Sequence, residues 1–265
     1  MLLEKLLQSQ GFGSRKHCQQ LIRQGAVAVA GETLSNPKQN LESQDLCFEV
    51  FGQQYQYREK VYIALHKASG YECSHQATHH FSVFDLFDSV LLQRGLQCVG
   101  RLDQDTSGLL LLTDDGQFLQ ALTHPKKHVP KRYRAVCADP IDAAQIMQLQ
   151  QGVALHQEKG LFAATDIALL SPKQIELTIH QGVYHQVKRM LAAVGNRVMT
   201  LHRVQVGQLQ LQHLAAGEWC YLDATQIAAA KNTLKILSLA GSAQQLPAEQ
   251  DLEQIESDQQ QYIVI

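Results

Sequence analysis

Two carboxylates stand close together in the run GRLDQDTSGLLLLTDDG, Gly100 to Gly116: Asp103 and Asp105 lie between an apolar stretch (Cys98, Val99) and four consecutive leucines (Leu109 to Leu112). Apolar strands on both sides of a polar loop would set Asp103 at the mouth of a strand, with Gly108 permitting a sharp turn behind it. Paired carboxylates can run a glycosidase-like hydrolysis, which needs one of them kept protonated and a site for water. They can equally cap the loop together with Thr106 and Ser107, as aspartates commonly do in turns. Cys73, His75, His79 and His80 form a second cluster of residue types able to bind zinc. That cluster lacks a fourth-ligand pattern and the His-Glu-x-x-His order of a metalloprotease, so no metal is expected. Phosphate-binding chemistry is offered by Pro125 to Arg134, where Lys126, Lys127, Lys131, Arg132 and Arg134 occur without an acid.

The elements around these residues divide the chain. Leucines 2, 3, 6 and 7 recur at helical spacing, and Ser14 can cap a second helix ending near Gly25. Short alternating strands follow around Val27 to Val29 and Leu46 to Val50, which completes a module over residues 1–50. Residues 51–60, which include GQQYQYREK, lack apolar periodicity and read as a linker. Over residues 61–240 the pattern predicts strands at 61–66, 97–102, 109–113, 131–138, 163–170, 174–180 and 198–206. It predicts helices at 81–92, 115–123, 140–151, 183–194 and 225–238. Strands and helices do not alternate regularly, so the fold class is α+β, with a mixed, largely antiparallel sheet and flanking helices. Residues 241–265 are Gln-rich and acidic and read as a mobile tail.

A net charge of -2 argues against a nucleic-acid partner until the charge is mapped along the chain. Five acids and no Lys or Arg fall in residues 241–265, which leaves residues 1–240 with 23 bases against 20 acids. Basic patches therefore survive an acidic average. No apolar run exceeds five residues, too short for a membrane span or a signal-peptide core. The six scattered cysteines form no Cys-x-x-Cys pair, so a reduced cytoplasm is the expected compartment.

Three motifs in order give the chain a family. GRLDQDTSGLLLLTDDG resembles the catalytic motif of the pseudouridine synthases that modify ribosomal RNA, and KRYRA (Lys131 to Ala135) and GVYHQVKRMLAAVGN (Gly182 to Asn196) match that family's next two motifs. The front module, with SRKHCQQLIRQGAVAVAG, is similar to the small RNA-binding domain named after ribosomal protein S4. Within the family, YHQVKRM, AAVGN and LHKASGYECS resemble most the branch acting on uridine 516 of 16S rRNA. Large-subunit (23S) synthases more often carry an Arg-Asn-Arg version of the third motif.

The resemblance implies an isomerase that detaches uracil from its ribose, turns it and rejoins it through carbon 5, with no metal, cofactor or redox step. Asp103 becomes the catalytic carboxylate, adding to the anomeric carbon or removing a neighbouring ribose proton. Lys188 becomes its basic partner and Tyr133 the ring that stacks on the target base. The base must be flipped out of folded RNA, and Arg101 is implied to fill the gap it leaves. Lys131, Arg132 and Arg189 are the further RNA contacts expected, together with Arg15, Lys16 and Arg23 on the second helix of the front module. Ala26 stands where such modules usually have a basic residue, which shifts part of that grip toward Lys38. Plainer readings remain for each: an Arg101–Asp105 ion pair, a solvated helix face for Lys188 and Arg189, a half-buried strand aromatic for Tyr133. Ribosomal RNA is the expected partner of a monomer with no membrane contact. The rival from another class is a non-catalytic RNA-binding assembly factor, which would have no chemical reason to keep Asp103, Tyr133 and Lys188 together.

Overall fold

The computed structural model describes residues 1–211 and 213–233, so the tail expected at 241–265 and the end of the helix expected at 225–238 lie outside the described residues. The front module opens with α1 (Leu3–Ser9) and α2 (Arg15–Arg23), the second capped by Ser14, which accepts from the His17 amide. Strands β1 (Val27–Val29), β2 (Glu32–Thr33), β3 (Cys47–Val50) and β4 (Gln53–Gln56) form an antiparallel sheet in the order β2-β1-β3-β4. Leu3, Leu6, Leu7, Ile22 and Phe48 close a core of its own. The stretch 51–60 read as a linker thus contains a strand. Gln53–Gln56 shows no apolar alternation because it is an exposed edge, held by backbone pairing to β3 and by the Tyr55 ring stacked on Phe48.

A buried knot joins this module to the rest. The Arg94–Asp114 ion pair is 2.7 Å long with side chains 4% and 7% exposed. Arg94 also donates to Gln10 Oε1 and to the carbonyls of Arg58 and Glu59, while Asp114 accepts from the Val61 amide. Gln10 closes the knot by exchanging hydrogen bonds with the backbone of Arg58. Every buried donor and acceptor here has a partner, the condition under which a buried ion pair is tolerated.

The larger part contains β5 (Tyr62–Lys67), β6 (Tyr71–Glu72), β7 (Phe81–Ser82), α3 (Ser89–Leu92), β8 (Gln97–Cys98), β9 (Thr106–Thr113), α4 (Gly116–Thr123), β10 (Lys131–Cys137), α5 (Ala143–Gln151), β11 (Val153–Ala154) and β12 (Leu161–Phe162). It continues with β13 (Thr165–Ser171), β14 (Gln174–Ile179), α6 (Gln186–Ala193), β15 (Val198–Val206), β16 (Leu209–Gln210), β17 (Trp219–Tyr221) and α7 (Ala224–Lys231). Nine of these strands make one sheet in the order β13-β14-β10-β15-β9-β5-β17, with β16 beside β15 and β8 beside β9. Only β9 and β15 run parallel; every other pair in the sheet is antiparallel. The α+β reading with a mixed, largely antiparallel sheet agrees.

The leucine run in β9 shows how the sheet is covered. Leu109 and Leu111 pack with Phe118 and Leu122 of α4 and Ala230 of α7, while Leu110 and Leu112 belong to the cluster that includes Val187, Met190 and Leu191 of α6. A strand buried on both faces needs apolar side chains at both parities, which is why the run does not alternate.

Some expected elements differ for local reasons. The helix expected at 81–92 is β7, a 3-10 turn at Val83–Leu86 and the single turn α3, because Ser82 with Asp85 forms one cap and Asp88 starts another. The strand expected at 97–102 is cut to Gln97–Cys98, since Gly100 turns the chain at φ +73°.

At Gly108 the fold tolerates one residue type. Its φ is +110°, and an added Cβ would lie 2.3 Å from the carbonyl oxygen of Arg203, its register partner across β9 and β15. Gly108→Ala should therefore destabilise the protein by about 3 kcal/mol in urea unfolding. Gly116→Ala, at the first position of α4 with open space around it, should be neutral or gain about 0.5 kcal/mol. A Gly108→Ala loss below about 0.5 kcal/mol, the range of an ordinary surface change, would refute the close-approach argument.

Candidate active site

Asp103 sits in the short loop between β8 and β9, which is tied from below. Lys67, fully buried at the end of β5, donates from Nζ to the carbonyls of Ala68 (3.0 Å), Gln104 (3.1 Å) and Thr106 (2.8 Å). Burial pushes the Lys67 pKa down, against the nearby charges of Cys73, Asp105 and Asp103. The Gly70 amide also donates to the Gln104 carbonyl, and the Thr106 amide to the Asp103 carbonyl. The carboxylate is held from above by α6: His185 Nε2 lies 3.3 Å from Asp103 Oδ1 and Lys188 Nζ 3.2 Å from Oδ2. His185 reaches it from the N-cap position in a left-handed conformation, φ +51°. That conformation is uncommon outside glycine and recurs at functional sites.

Lys188 bridges both carboxylates, with Asp105 Oδ1 at 2.6 Å. Burial pushes the Asp105 pKa up, but the hydrogen bond and charge of Lys188 outweigh it and leave the group below its ordinary value near 3.8. Burial would lower Lys188, and its hydrogen bonds to Asp105 and Asp103 raise it overall. Asp105 is therefore a paired anion that fixes Lys188 and does not supply the protonated acid of the hydrolase reading.

The site opens on a cavity of about 450 Å³ bounded by Arg101, Leu102, Asp103, Tyr133, His185 and Arg203, among others. Tyr133 is 7% exposed and lies on β10 opposite Arg203 of β15. Lys131 lines the same cavity, since positions two apart on a strand share a face. Its burial and the Arg203 charge hold its pKa down to about 8. Arg132 points to the opposite face, with Nε 2.7 Å from Glu176 Oε1 but its N–H not aligned for a hydrogen bond, and Arg134 shares the same carboxylate. Arg189 is likewise committed away from Asp103: it meets Glu158 at 3.2 Å and the carbonyls of Tyr184 and His156, pinning the loop before α6. Arg101 is exposed at the cavity edge and makes no ion pair with Asp105, which Lys188 occupies. In the front module Arg15 is paired with the buried Glu4 of α1, while Lys16 and Arg23 are exposed on α2, as is Lys38 in the loop beyond β2.

Sequence reasoning missed Arg203, His185 and the Tyr184 ring stacked on His185 at 3.7 Å between centroids. The zinc cluster does not assemble: His75 stacks on Phe84 and meets the Leu96 carbonyl, and among the described residues no group of three or more His, Cys, Asp or Glu side chains could hold a metal ion. No helix among the described residues is long and apolar enough to cross a membrane.

An acid held by two flexible bases at the mouth of a cavity with an aromatic wall suits chemistry on the sugar of an inserted base. The family model described as RNA pseudouridylate synthase matches residues 61–193, and the S4 domain model matches residues 1–47. The chain belongs to the RNA pseudouridylate synthase family. It is 39% identical over 229 residues to the ribosomal small subunit pseudouridine synthase A of Vibrio cholerae, covering 86% of this chain and 98% of that protein. The Escherichia coli K12 protein of the same name is 38% identical over 232 residues, covering 86% and 99%. A solved pseudouridylate synthase structure superposes with a TM-score of 0.61 at 33% identity, covering 87% of this chain and 99% of that one.

Removing Lys188 tests the electrostatics directly. In Lys188→Met the group holding Asp105 down is gone and burial remains, so the Asp105 carboxyl should titrate at higher pH than in wild type by carbon-13 NMR. The wild-type protein, whose folded Asp105 lies below its unfolded value, should draw stability from this pair above pH of about 4 and lose it as pH falls through the folded value. The variant should lack that acid-side loss. An unchanged Asp105 midpoint would show that Lys188 does not set it.

Proposed function

We propose that this protein isomerises a uridine of small-subunit ribosomal RNA to pseudouridine, most specifically uridine 516 of 16S rRNA, with Asp103 as the carboxylate acting on the ribose. One observation carries the reading: the two oxygens of Asp103 are gripped separately, by His185 and Lys188, at the mouth of the cavity that Tyr133 lines. The curated relatives named for the small subunit favour that RNA over the 23S alternative. In this reading the target uridine leaves the RNA stack and enters the cavity, and Tyr133 returns about 1–3 kcal/mol of the lost stacking. Arg101 at the rim takes the vacated position in the RNA. Lys16 and Arg23 add phosphate contacts. The reaction proceeds in a cytoplasm where ribosomal RNA is assembled, and bond exchange within one nucleotide needs no cofactor.

Asp103→Asn, nearly isosteric, should leave folding and RNA affinity intact and abolish pseudouridine formation on a 16S transcript. Turnover within about tenfold of wild type would overturn the assignment of Asp103. Purified protein should stay active in a chelator, and loss of activity restored by zinc would count against the cofactor-free reading. Mapping pseudouridines in both ribosomal RNAs from cells with and without the protein identifies the target. A missing large-subunit site with position 516 intact would reassign it to 23S RNA, and no missing site would favour the assembly-factor reading.

A further inference from the structure

Arg203 is the largest fully buried side chain described, 2% exposed, yet its charge has no carboxylate partner among the described residues. Its Nε donates to the Leu109 carbonyl at 2.7 Å and its Nη1 stands 3.5 Å from the Tyr133 hydroxyl, while Nη2 is buried with no protein partner. Lys131, the second cation of this wall, donates only to the Val129 carbonyl and likewise lacks a carboxylate within reach. A buried guanidinium without a counter-charge is costly. That guanidinium and the partly buried ammonium of Lys131, both lining one cavity with the acids confined to its mouth, form a site for something that becomes negative only when it is inside.

Resting on the proposed isomerisation, the geometry points to Arg203, with Lys131, as the binding site for the uracil anion released when the glycosidic bond breaks. The bond from the anomeric carbon to ring nitrogen 1 breaks heterolytically and its electron pair leaves with the base. The ribose is retained either by an ester bond to Asp103 or as a glycal whose proton Asp103 has taken. In both cases uracil carries a negative charge spread over nitrogen 1 and its two carbonyl oxygens. When carbon 5 bonds to the anomeric carbon, the negative charge returns to Asp103, either as its ester bond to the sugar breaks or as it gives the ribose back its proton; the carbon 5 proton is then lost and nitrogen 1 takes up a proton. Neutral uracil at this wall meets the Arg203 and Lys131 charges only through its carbonyl dipoles, and the anion meets them with a full charge, so the interaction grows along the reaction coordinate, the condition for catalysis by preorganised charges. The depressed pKa of Lys131 fits the same surroundings: it is held down by burial and by Arg203, a repulsion that a bound anion would relieve.

The test uses the free protein and a base that is already an anion. The nitro group acidifies 5-nitrouracil, so at neutral pH it binds as an anion where uracil binds as a neutral molecule. Wild-type protein should bind 5-nitrouracil at least about tenfold more tightly than uracil. Arg203→Met and Lys131→Met should each erase most of that preference, and Arg203→Lys should restore part of it. On a 16S transcript, Arg203→Met should slow saturating single-turnover formation of pseudouridine about a hundredfold while RNA affinity falls only a few-fold. Should Arg203→Met fail to fold, the wild-type comparison and Lys131→Met still decide. Equal binding of the two bases by wild type, or a preference that survives Lys131→Met and Arg203→Met, overturns the anion site. An anion preference in a protein that makes no pseudouridine would sink the proposed function instead and leave the site standing.

Discussion

The site depends on how closely β9 and β15 approach one another. Parallel pairing of Gly108 with Arg203 sets backbone against backbone where no Cβ fits, and Arg203 then donates to the Leu109 carbonyl on the same strand. Asp103 enters from the loop that begins β9, Tyr133 from β10 on the other side of β15, and Arg203 from β15 itself. A change in the β9–β15 register would therefore separate all three. The surrounding leucines, apolar on both faces of β9, hold that register because a one-residue slip would exchange the contents of two cores.

Charge is sorted by depth. At the mouth, Asp103 and Asp105 share Lys188, with His185 on the free oxygen of Asp103. Deeper in, Lys131 and Arg203 stand beside Tyr133 with no carboxylate partner among the described residues. The two sets do not neutralise one another because each is fixed by separate backbone elements: the acids by the loop over Lys67, the cations by adjacent strands. On the far face of β10, Glu176 serves Arg132 and Arg134, so the strand alternates between structural cations on one side and Lys131 with Tyr133 on the cavity side.

That alternation is legible in KRYRA. Residues 131 and 133 must share one face and 132 and 134 the other, so the cations of the run cannot form one RNA-binding patch. Arg203 was hidden for a different reason. One arginine in LHRVQV reads as the solvent side of a half-buried strand, and only the parallel neighbour β9, remote in sequence, buries it. His185 could not be read because its role depends on a left-handed backbone at a helix start, which no side-chain pattern encodes. By contrast Asp103 and Lys188 were legible through their motifs, and the helices around them through ordinary caps and periodicity. Strand β4, inside the stretch 51–60, leaves no trace in the sequence since an edge strand needs no apolar alternation to pair.

A carboxylate and two uncompensated cations around one cavity would collapse into ion pairs if the loop carrying Asp103 were free to move. Three ties prevent it. Lys67 binds the loop carbonyls from within the core, the Thr106 amide holds the Asp103 carbonyl, and Lys188 with His185 holds the carboxylate from α6. Arg189 in turn fastens the segment leading into α6 through the Tyr184 and His156 carbonyls, so an arginine that never faces the cavity keeps its acid in place. The electrostatic cost of keeping opposite charges apart is thus met by core packing when the chain folds. In the proposed reaction, a substrate base entering the cavity finds the charges already fixed in place, and little reorganisation remains to oppose the step in which its own charge appears.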